Sequence, residues 1–301
     1  QIALKTNKRL AEHPYIIYTP AIASSYIQEA EIESKMNAAL KNHDFKLFFQ
    51  PQYSIANDRV ESAEVLVRWY DVELKTYIAP DSFISVFEAN GFVADLDHYV
   101  FEEACRFLQE YTNSGEKVIP LSVNVSRATA IRDDFLDYYI KKKNEYKIAD
   151  NFLTLEFTES FANESYELLS KLLHTLKNNG FSCSIDDFGM GHSSIIALKD
   201  LPFDELKLDR ALLKAGSEPA KDNAILQMLI NMGKSVGMKM VQEGVETLED
   251  MHRMKALGCD LIQGYYYAKP LPMTEFSEFI NDDTSLNGLR RFQKKKTPAA
   301  P

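Results

Sequence analysis

The sequence predicts a (β/α)8 TIM-like barrel with one antiparallel strand. From residue 45 onward, short strand-like runs alternate with amphipathic helical stretches. Eight such runs fall within roughly 240 residues, the number and length that a barrel of this kind needs. The first connection breaks the alternation. Only Ala56-Asn57-Asp58-Arg59 separates the first two runs, which is too short for a crossover helix and must be a hairpin. One strand therefore runs against its neighbours.

Taken in order, residues 1–30 make no domain. Residues 5–12 read as a helix end and Tyr15-Ile16-Ile17-Tyr18 as an edge strand, so 1–26 is expected to be the remnant of an upstream domain and its linker. A connecting helix follows over 27–43, with Ile27, Ile32, Met36 and Leu40 on one face. The barrel strands are expected at 46–53, 60–69, 118–125, 152–157, 181–186, 203–208, 238–242 and 260–265, and helices at 95–112, 163–179, 219–236 and 247–257. The barrel domain is bounded at 27–285. The tail over 286–301, with its lysine triplet and Pro/Ala end, is expected to be disordered.

Composition narrows the functional class. Apolar content of 45% and charged content of 26% are those of a soluble globular chain. A net charge of -10 argues against wrapping a polymeric nucleic acid, which calls for a basic face. A small anionic ligand stays open if cations are placed locally. Cys105, Cys183 and Cys259 lie far apart within apolar elements, with neither a disulfide framework nor a zinc spacing. Buried thiols in a reducing, cytoplasmic setting are expected, any membrane tether belonging to upstream segments. Residues 1–10 carry three cations and no apolar core, unlike a signal peptide. No run approaches the ~18–20 apolar residues that span a bilayer.

The chemistry centres on Cys183-Ser184-Ile185-Asp186-Asp187-Phe188-Gly189-Met190-Gly191-His192-Ser193-Ser194. A short strand ends on two adjacent carboxylates, and glycines free the loop that follows. Like charges side by side repel unless a cation or a proton intervenes. An Asp-Asp pair alone is ordinary turn chemistry. What sets this one apart is recurrence. Strand side chains alternate with period two, and the same face holds Gln50 and Gln52, then Glu64, Leu66 and Arg68, then Ser122 and Asn124, Thr154 and Glu156, Ser184 and Asp186, Lys207, Glu243 and Gln263. Any one of these could simply end a strand in solvent. A ring of carboxylates and amides with one lysine is not explained that way. In a barrel it would gather near the carboxyl ends of the strands, where active sites sit.

Glu64, Glu156, Asp186, Asp187, Glu243 and Glu246 supply six negative charges against Lys207. Such a cluster cannot stay ionised unaided. The donors are oxygens, which select magnesium or manganese, with calcium a further candidate, and disfavour zinc. Two such ions would suit hydrolysis of a phosphate ester.

These residues carry a resemblance. Glu64-Val65-Leu66-Val67-Arg68 resembles the Glu-Ala-Leu-x-Arg motif of EAL domains, the cyclic di-GMP phosphodiesterases. The likeness continues in order through Phe49-Gln50-Pro51, Asn124-Val125-Ser126, Leu155-Glu156-Phe157-Thr158-Glu159, Asp186-Asp187-Phe188-Gly189, Lys207-Leu208-Asp209, Glu243-Gly244-Val245-Glu246-Thr247 and Gln263-Gly264, over residues 35–282. The resemblance implies a cytoplasmic hydrolase that converts cyclic di-GMP to linear pGpG with two Mg2+ or Mn2+ ions, Ca2+ being an inhibitory occupant. It implies that Glu64, Asn124, Glu156 and Asp186 hold the first ion and that Asp186, helped by Asp187, bridges to the second. Glu243 is implied as general base or outer ligand for the attacking water. Lys207 would orient that water, and Arg68 would pair with a phosphate. Gln50, Leu66, Asp209, Glu246, Gln263 and Pro270 are implied on the substrate side, and Glu159 as a support for the loop after Asp187.

The loop departs from the family pattern. Met190 and His192 stand where threonine and tyrosine, or a similar pair, are usual, which bears on the link between the metal site and the family's dimer face. Val65 for alanine only thickens the strand. Residues 1–22 resemble the end of a GGDEF domain, so an upstream GGDEF or sensory domain and a homodimer are the partners implied. The alternative is a non-catalytic cyclic di-GMP sensor. Sensors of this type lose metal ligands, whereas every ligand position is filled here. An unrelated metal-dependent barrel is a further reading, since this fold hosts many chemistries.

Overall fold

The computed structural model describes residues 20–164, 166–189, 200–213, 219–282, 284, 285 and 288. The expected edge strand at 15–18, Met190, His192 and residues 290–301 lie outside them. Contacts divide the chain into two units, Gln1–Lys46 with Arg68–Val93, and Leu47–Val67 with Ala94–Pro301.

In the first unit, α1 (Pro20–Lys41) leads to the start of β1 (Phe45–Ser54), and the end of β2 (Arg59–Asp71) pairs with β3 (Thr76–Ile78) as a hairpin. Helix α2 (Pro80–Asn90) closes the unit. Pro80 suits the first helical turn, where its missing N–H costs nothing, and Gly91, with φ 85°, ends the helix in the left-handed region. The core is aromatic. Phe45 and Trp69 lie 5.2 Å apart, Phe83 and Phe87 5.3 Å, and Phe87 and Phe92 4.8 Å. Neither β3 nor α2 was expected from the sequence. Strand β3 is three residues long with Tyr77 exposed, and α2 buries only Phe83, Val86 and Phe87, so neither makes a sustained apolar period. In α1 the expected face is corrected: Ile27 is exposed, and Ile32 and Ala39 are the buried positions.

The second unit is a closed barrel. Its strands are β1, β2, β4 (Leu121–Asn124), β5 (Leu153–Thr158), β6 (Ser182–Phe188), β7 (Glu205–Leu208), β8 (Lys239–Gln242) and β9 (Leu261–Ile262). They pair in the order β1-β9-β8-β7-β6-β5-β4-β2, and a β1–β2 pairing closes the ring. Strand β1 runs antiparallel to β9, and β2 and β4 to β9 pair in parallel. The short first connection is thus a hairpin. A two-residue strand, β10 (Leu271–Pro272), adds to β1. The helices are α3 (Val93–Asn113), α4 (Arg127–Ala130), α5 (Phe135–Glu145), α6 (Glu159–Glu164), α7 (Tyr166–Asn178), α8 (Pro219–Ser235), α9 (Leu248–Leu257) and α10 (Met273–Asn281).

Outward strand residues pack on helices. Phe49 stacks on Phe276 at 4.7 Å and lies 4.8 Å from Phe107, each such pair adding about 0.5–1.5 kcal/mol beyond its area. The three cysteines are free and buried.

Two expectations are revised here. The strand at 118–125 begins only at Leu121, because Pro120 has no N–H to give the ladder. Helix α5 was not foreseen, since its buried stripe is Phe135, Tyr139 and Lys143, and a lysine in that stripe hides the apolar period. Among the described residues no helix is long and apolar enough to cross a membrane.

Candidate active site

Parallel strands end at one rim of the barrel, and their inward positions meet there. At the centre is Lys207 on β7, with a side chain that has no exposed surface. Its Nζ lies 2.7 Å from Glu156 Oε2, 2.8 Å from Glu243 Oε1, 3.1 Å from Asp186 Oδ1 and 3.3 Å from Glu64 Oε2. Burial alone would lower the lysine's pKa. The carboxylates of Asp186, Glu156, Glu243 and Glu64 more than reverse that, and it stays charged.

The register explains the convergence. Glu64 is level with Ser122, Asn124 with Glu156, and Lys207 with Val241. Asn124 Nδ2 donates to Glu64 Oε1 at 2.9 Å. Adjacent residues of a regular strand point to opposite faces, so Asp186 and Asp187 should not cooperate. A bulge resolves this. The β6–β7 register shifts between Ile185 and Phe188, and Asp187 has φ 56°. Aspartate enters that left-handed region more readily than most residues. Its N–H donates to Asp186 Oδ1 at 2.9 Å. Two carboxylate triplets result, Glu64–Glu156–Asp186 and Asp186–Asp187–Glu243, each able to bring one oxygen apiece within 4.8 Å of one another. Asp186 belongs to both.

The electrostatics are those of a site short of cations. Burial pushes Glu156 well above the usual carboxylate range, with Lys207 opposing and Glu64 and Asp186 adding to the shift. Burial also lifts Glu243, to about 7. Asp187 is exposed as a residue, yet its carboxyl loses enough water to rise to about 6, with Asp186 and Asp209 adding like charge. The donor set fits a hard divalent cation. All candidate ligands are oxygens, and Glu156 Oε1 is buried without a hydrogen-bond partner among the described residues.

Other expected residues differ in their engagement. Glu159 Oε2 accepts from Gly189 N at 2.8 Å. Asp209 Oδ1 accepts from Ala211 N at 2.6 Å. Gln263 Nε2 donates to Glu64 Oε2 at 2.6 Å and to Gln50 Oε1 at 3.1 Å. Leu66 is half-buried on β2, and Pro270 is half-buried just before β10. Arg68 is half-buried on the β2 segment that belongs to the first unit. Glu246 corrects the count of six carboxylates. It is exposed, does not touch Lys207, and lines a cleft of ≈ 300 Å³ with Arg210, Leu213, Gly244, Thr247 and Asp250. Five carboxylates, not six, make the two triplets. Gly264 is required by close approach, since a Cβ there would lie 2.2 Å from Val245 O and 2.4 Å from Val245 N. That approach seats the turn after Glu243 against Gln263.

Sequence reading missed several supports. Asp97 Oδ2 accepts from Ser126 N at 2.9 Å and Thr129 Oγ1 at 2.6 Å, and so holds the turn after Asn124. Gln242 Nε2 donates to the carbonyls of Leu208 and Glu243, both at 3.0 Å. Gln52, already read on the face of Gln50, and Ser62, which shares a strand face with Glu64 and was missed, stand behind Gln263.

Comparison with known proteins gives a consistent picture. A family model described as the EAL domain matches residues 33–270. Cyclic di-GMP phosphodiesterase NbdA of Pseudomonas aeruginosa is 32% identical over 279 residues, covering 93% of this chain and 36% of NbdA. Oxygen sensor protein DosP of Escherichia coli is 30% identical, over 88% of this chain and 33% of DosP. The solved c-di-GMP complex of the PaMucR phosphodiesterase aligns with a TM-score of 0.77 at 29% identity, covering 82% of this chain and 99% of that one. The chain spans about a third of the length of NbdA and of DosP.

Proposed function

The chain belongs to the EAL domain family, and from that membership we propose that it hydrolyses cyclic di-GMP to linear pGpG with the help of Mg2+ or Mn2+. The observation that carries the proposal is the pair of carboxylate triplets sharing Asp186 around a buried Lys207. A merely binding site has no need to crowd carboxylates that repel one another; a site for two cations does. NbdA and PaMucR, both named as phosphodiesterases, support the same reading.

In this proposal Glu64, Asn124, Glu156 and Asp186 would hold the first cation, Asn124 through its amide oxygen, and Asp186 and Asp187 would hold the second. Bound divalent cations supply Lewis acidity and water activation. Glu243 takes the proton of the attacking water. Lifted toward neutrality by burial, it is a better base near pH 7 than an ordinary carboxylate, although cations at Asp186 and Asp187 would draw its pKa back down. Lys207 keeps the carboxylates facing inward and offsets charge as the phosphodiester is attacked. Arg68 pairs with a phosphate through its planar fork. Gln50, Leu66, Asp209, Glu246, Gln263 and Pro270 line the base and ribose positions, and Glu159 steadies the turn at Gly189.

The test is incubation of the purified chain with cyclic di-GMP and Mg2+ or Mn2+, following pGpG by chromatography, with an EDTA control. Metal-dependent pGpG is the expected product. Saturable binding of intact cyclic di-GMP without product would sink the catalytic reading.

A further inference from the structure

Behind Glu64 lies a chain of buried amides with a fixed direction. Gln263 Nε2 donates to Glu64 Oε2 at 2.6 Å and to Gln50 Oε1 at 3.1 Å. Gln263 Oε1 accepts from Gln52 Nε2 at 3.0 Å. Gln52 Oε1 accepts from Ser62 Oγ at 2.6 Å. Gln50 Nε2 donates to Ala268 O at 3.3 Å. Two ends of this chain can only accept, the Glu64 carboxylate and the Ala268 carbonyl. They force the NH2 of Gln263 toward Glu64 and the NH2 of Gln50 toward Ala268. Gln263 must then present its oxygen to Gln52, and Gln52 its own oxygen to the Ser62 hydroxyl. Every link agrees with that single direction.

We infer that Gln52 and Ser62 are positioning residues for the cation held by Glu64, acting by locking the Gln263 amide with its NH2 on Glu64 Oε2. The inference rests on the metal-site reading above. Neither residue touches a carboxylate of the site. Their effect passes through the orientation of one amide. A glutamine amide rotated half a turn would set Oε1 against Glu64 Oε2, oxygen against oxygen at the distance of a short hydrogen bond. Glu64 would swing away from Glu156 and Asp186, with which it forms the first triplet. Gln52 and Gln263 are buried, so bulk water does not replace a lost partner. Outer partners of this kind fix ligand orientation at metal sites, and their loss typically costs about 10- to 100-fold in metal affinity.

The experiment reads Mn2+ affinity directly, by isothermal titration calorimetry on the intact chain without substrate. Three variants are compared with wild type. Gln52→Met keeps the length and removes the hydrogen bonds. Gln52→Glu, ionised, can only accept, and so demands the NH2 of Gln263 and reverses the chain. Ser62→Ala removes one oxygen. The expected result is about tenfold weaker Mn2+ binding in Gln52→Met, a larger loss in Gln52→Glu, and a smaller loss in Ser62→Ala. Thermal unfolding in EDTA separates this from damage to the barrel, because a packing role would lower the melting temperature without ordering the variants by amide direction. Affinities in the folded variants within about twofold of wild type overturn the inference. Should the Gln52 variants not fold, Ser62→Ala decides alone, weaker binding supporting the inference and unchanged binding overturning it. Wild type that binds no Mn2+ overturns the metal-site reading and the inference with it, a result distinct from variants that match a binding wild type.

Discussion

Two lysines in this molecule each sit among several carboxylates, and burial makes them different things. Lys35 lies 3.0 Å from Glu31, 3.3 Å from Asp71 and 3.3 Å from Glu73, with its side chain 32% exposed and that of Glu73 80% exposed. Lys207 touches four carboxylates at similar distances with no exposure at all. At the first, water reaches the ammonium and the carboxylates of Glu31 and Glu73, although Asp71 is only 5% exposed, and Asp71 sits below its usual pKa, held there first by the N–H of Leu74. At the second, burial drives Glu156 and Glu243 up. The same charges therefore settle as fully ionised pairs in one place and as a cation-hungry cluster in the other. Solvent access, more than the residue list, decides which.

The largest expected effect breaks the buried cluster. Lys207→Met leaves four carboxylates with no internal cation. Removing one partner of a buried ion pair costs about 3–5 kcal/mol, to be read from urea unfolding in EDTA at pH 7.5. Hydrolysis falls by roughly 100- to 1,000-fold, the scale for losing one preorganised charge in a site. Mn2+ affinity, in contrast, holds or rises, because a competing cation is gone. A variant that keeps wild-type turnover removes Lys207 from the chemistry.

Next in size is the division between the two triplets. Glu64→Ala takes a carboxylate from one triplet only, Glu243→Ala from the other. Both should lose roughly 100-fold or more in pGpG formation. Only Glu64→Ala should sharply weaken the tighter Mn2+ site in a calorimetric titration. Equal weakening by both would mean that the triplets act as one site.

How much of this could be read beforehand follows from the same contrast. The strand-end carboxylates were legible because period two on a strand is rigid, and Glu64, Glu156, Asp186 and Lys207 each follow it. Asp187 was paired with Asp186 from adjacency, but the reason they cooperate is a bulge with φ 56°, which no periodicity encodes. Glu246 follows Glu243 closely in sequence but lies exposed, lining a cleft with Arg210, Thr247 and Asp250. Asp97 left no sequence signal, because it acts from a helix against backbone on a distant loop. The barrel was visible from alternation, whereas α5 was hidden by the buried Lys143.

A smaller effect is the opposite pH response of the two clusters. Glu243 is raised from 4.5 to about 7, so between those values the folded state holds more protons than the unfolded one. Its contribution to stability is greatest below 4.5 and declines as pH rises to about 7. Metal-free wild type should therefore gain on Glu243→Gln between pH 7.5 and pH 5 in urea unfolding. Asp71 is lowered from 3.8, so its contribution is present above that value and is lost only as pH falls below it. Mn2+ affinity should rise from pH 5 to 7.5, since bound protons must leave before the cation enters. Parallel pH slopes for wild type and Glu243→Gln would contradict the raised pKa.

The smallest effect belongs to Lys35→Met. Its folded pKa is raised from 10.5, first through Glu31 and then Glu73, so its contribution is fully present at neutral pH and fades only as pH rises above the unfolded value. Partial exposure discounts it. Surface pairs are worth about 0–1 kcal/mol, and three weak pairs at one ammonium share a single charge. Urea unfolding at pH 7.5 should place the variant within about 1 kcal/mol of wild type, with the difference shrinking further in 1 M NaCl, where the screening length is about 3 Å. Lys207→Met, unfolded in EDTA, should respond far less to the same salt, because buried pairs are screened much less than exposed ones. A salt-insensitive loss of several kcal/mol at Lys35 would mean that accessibility does not separate the two lysines.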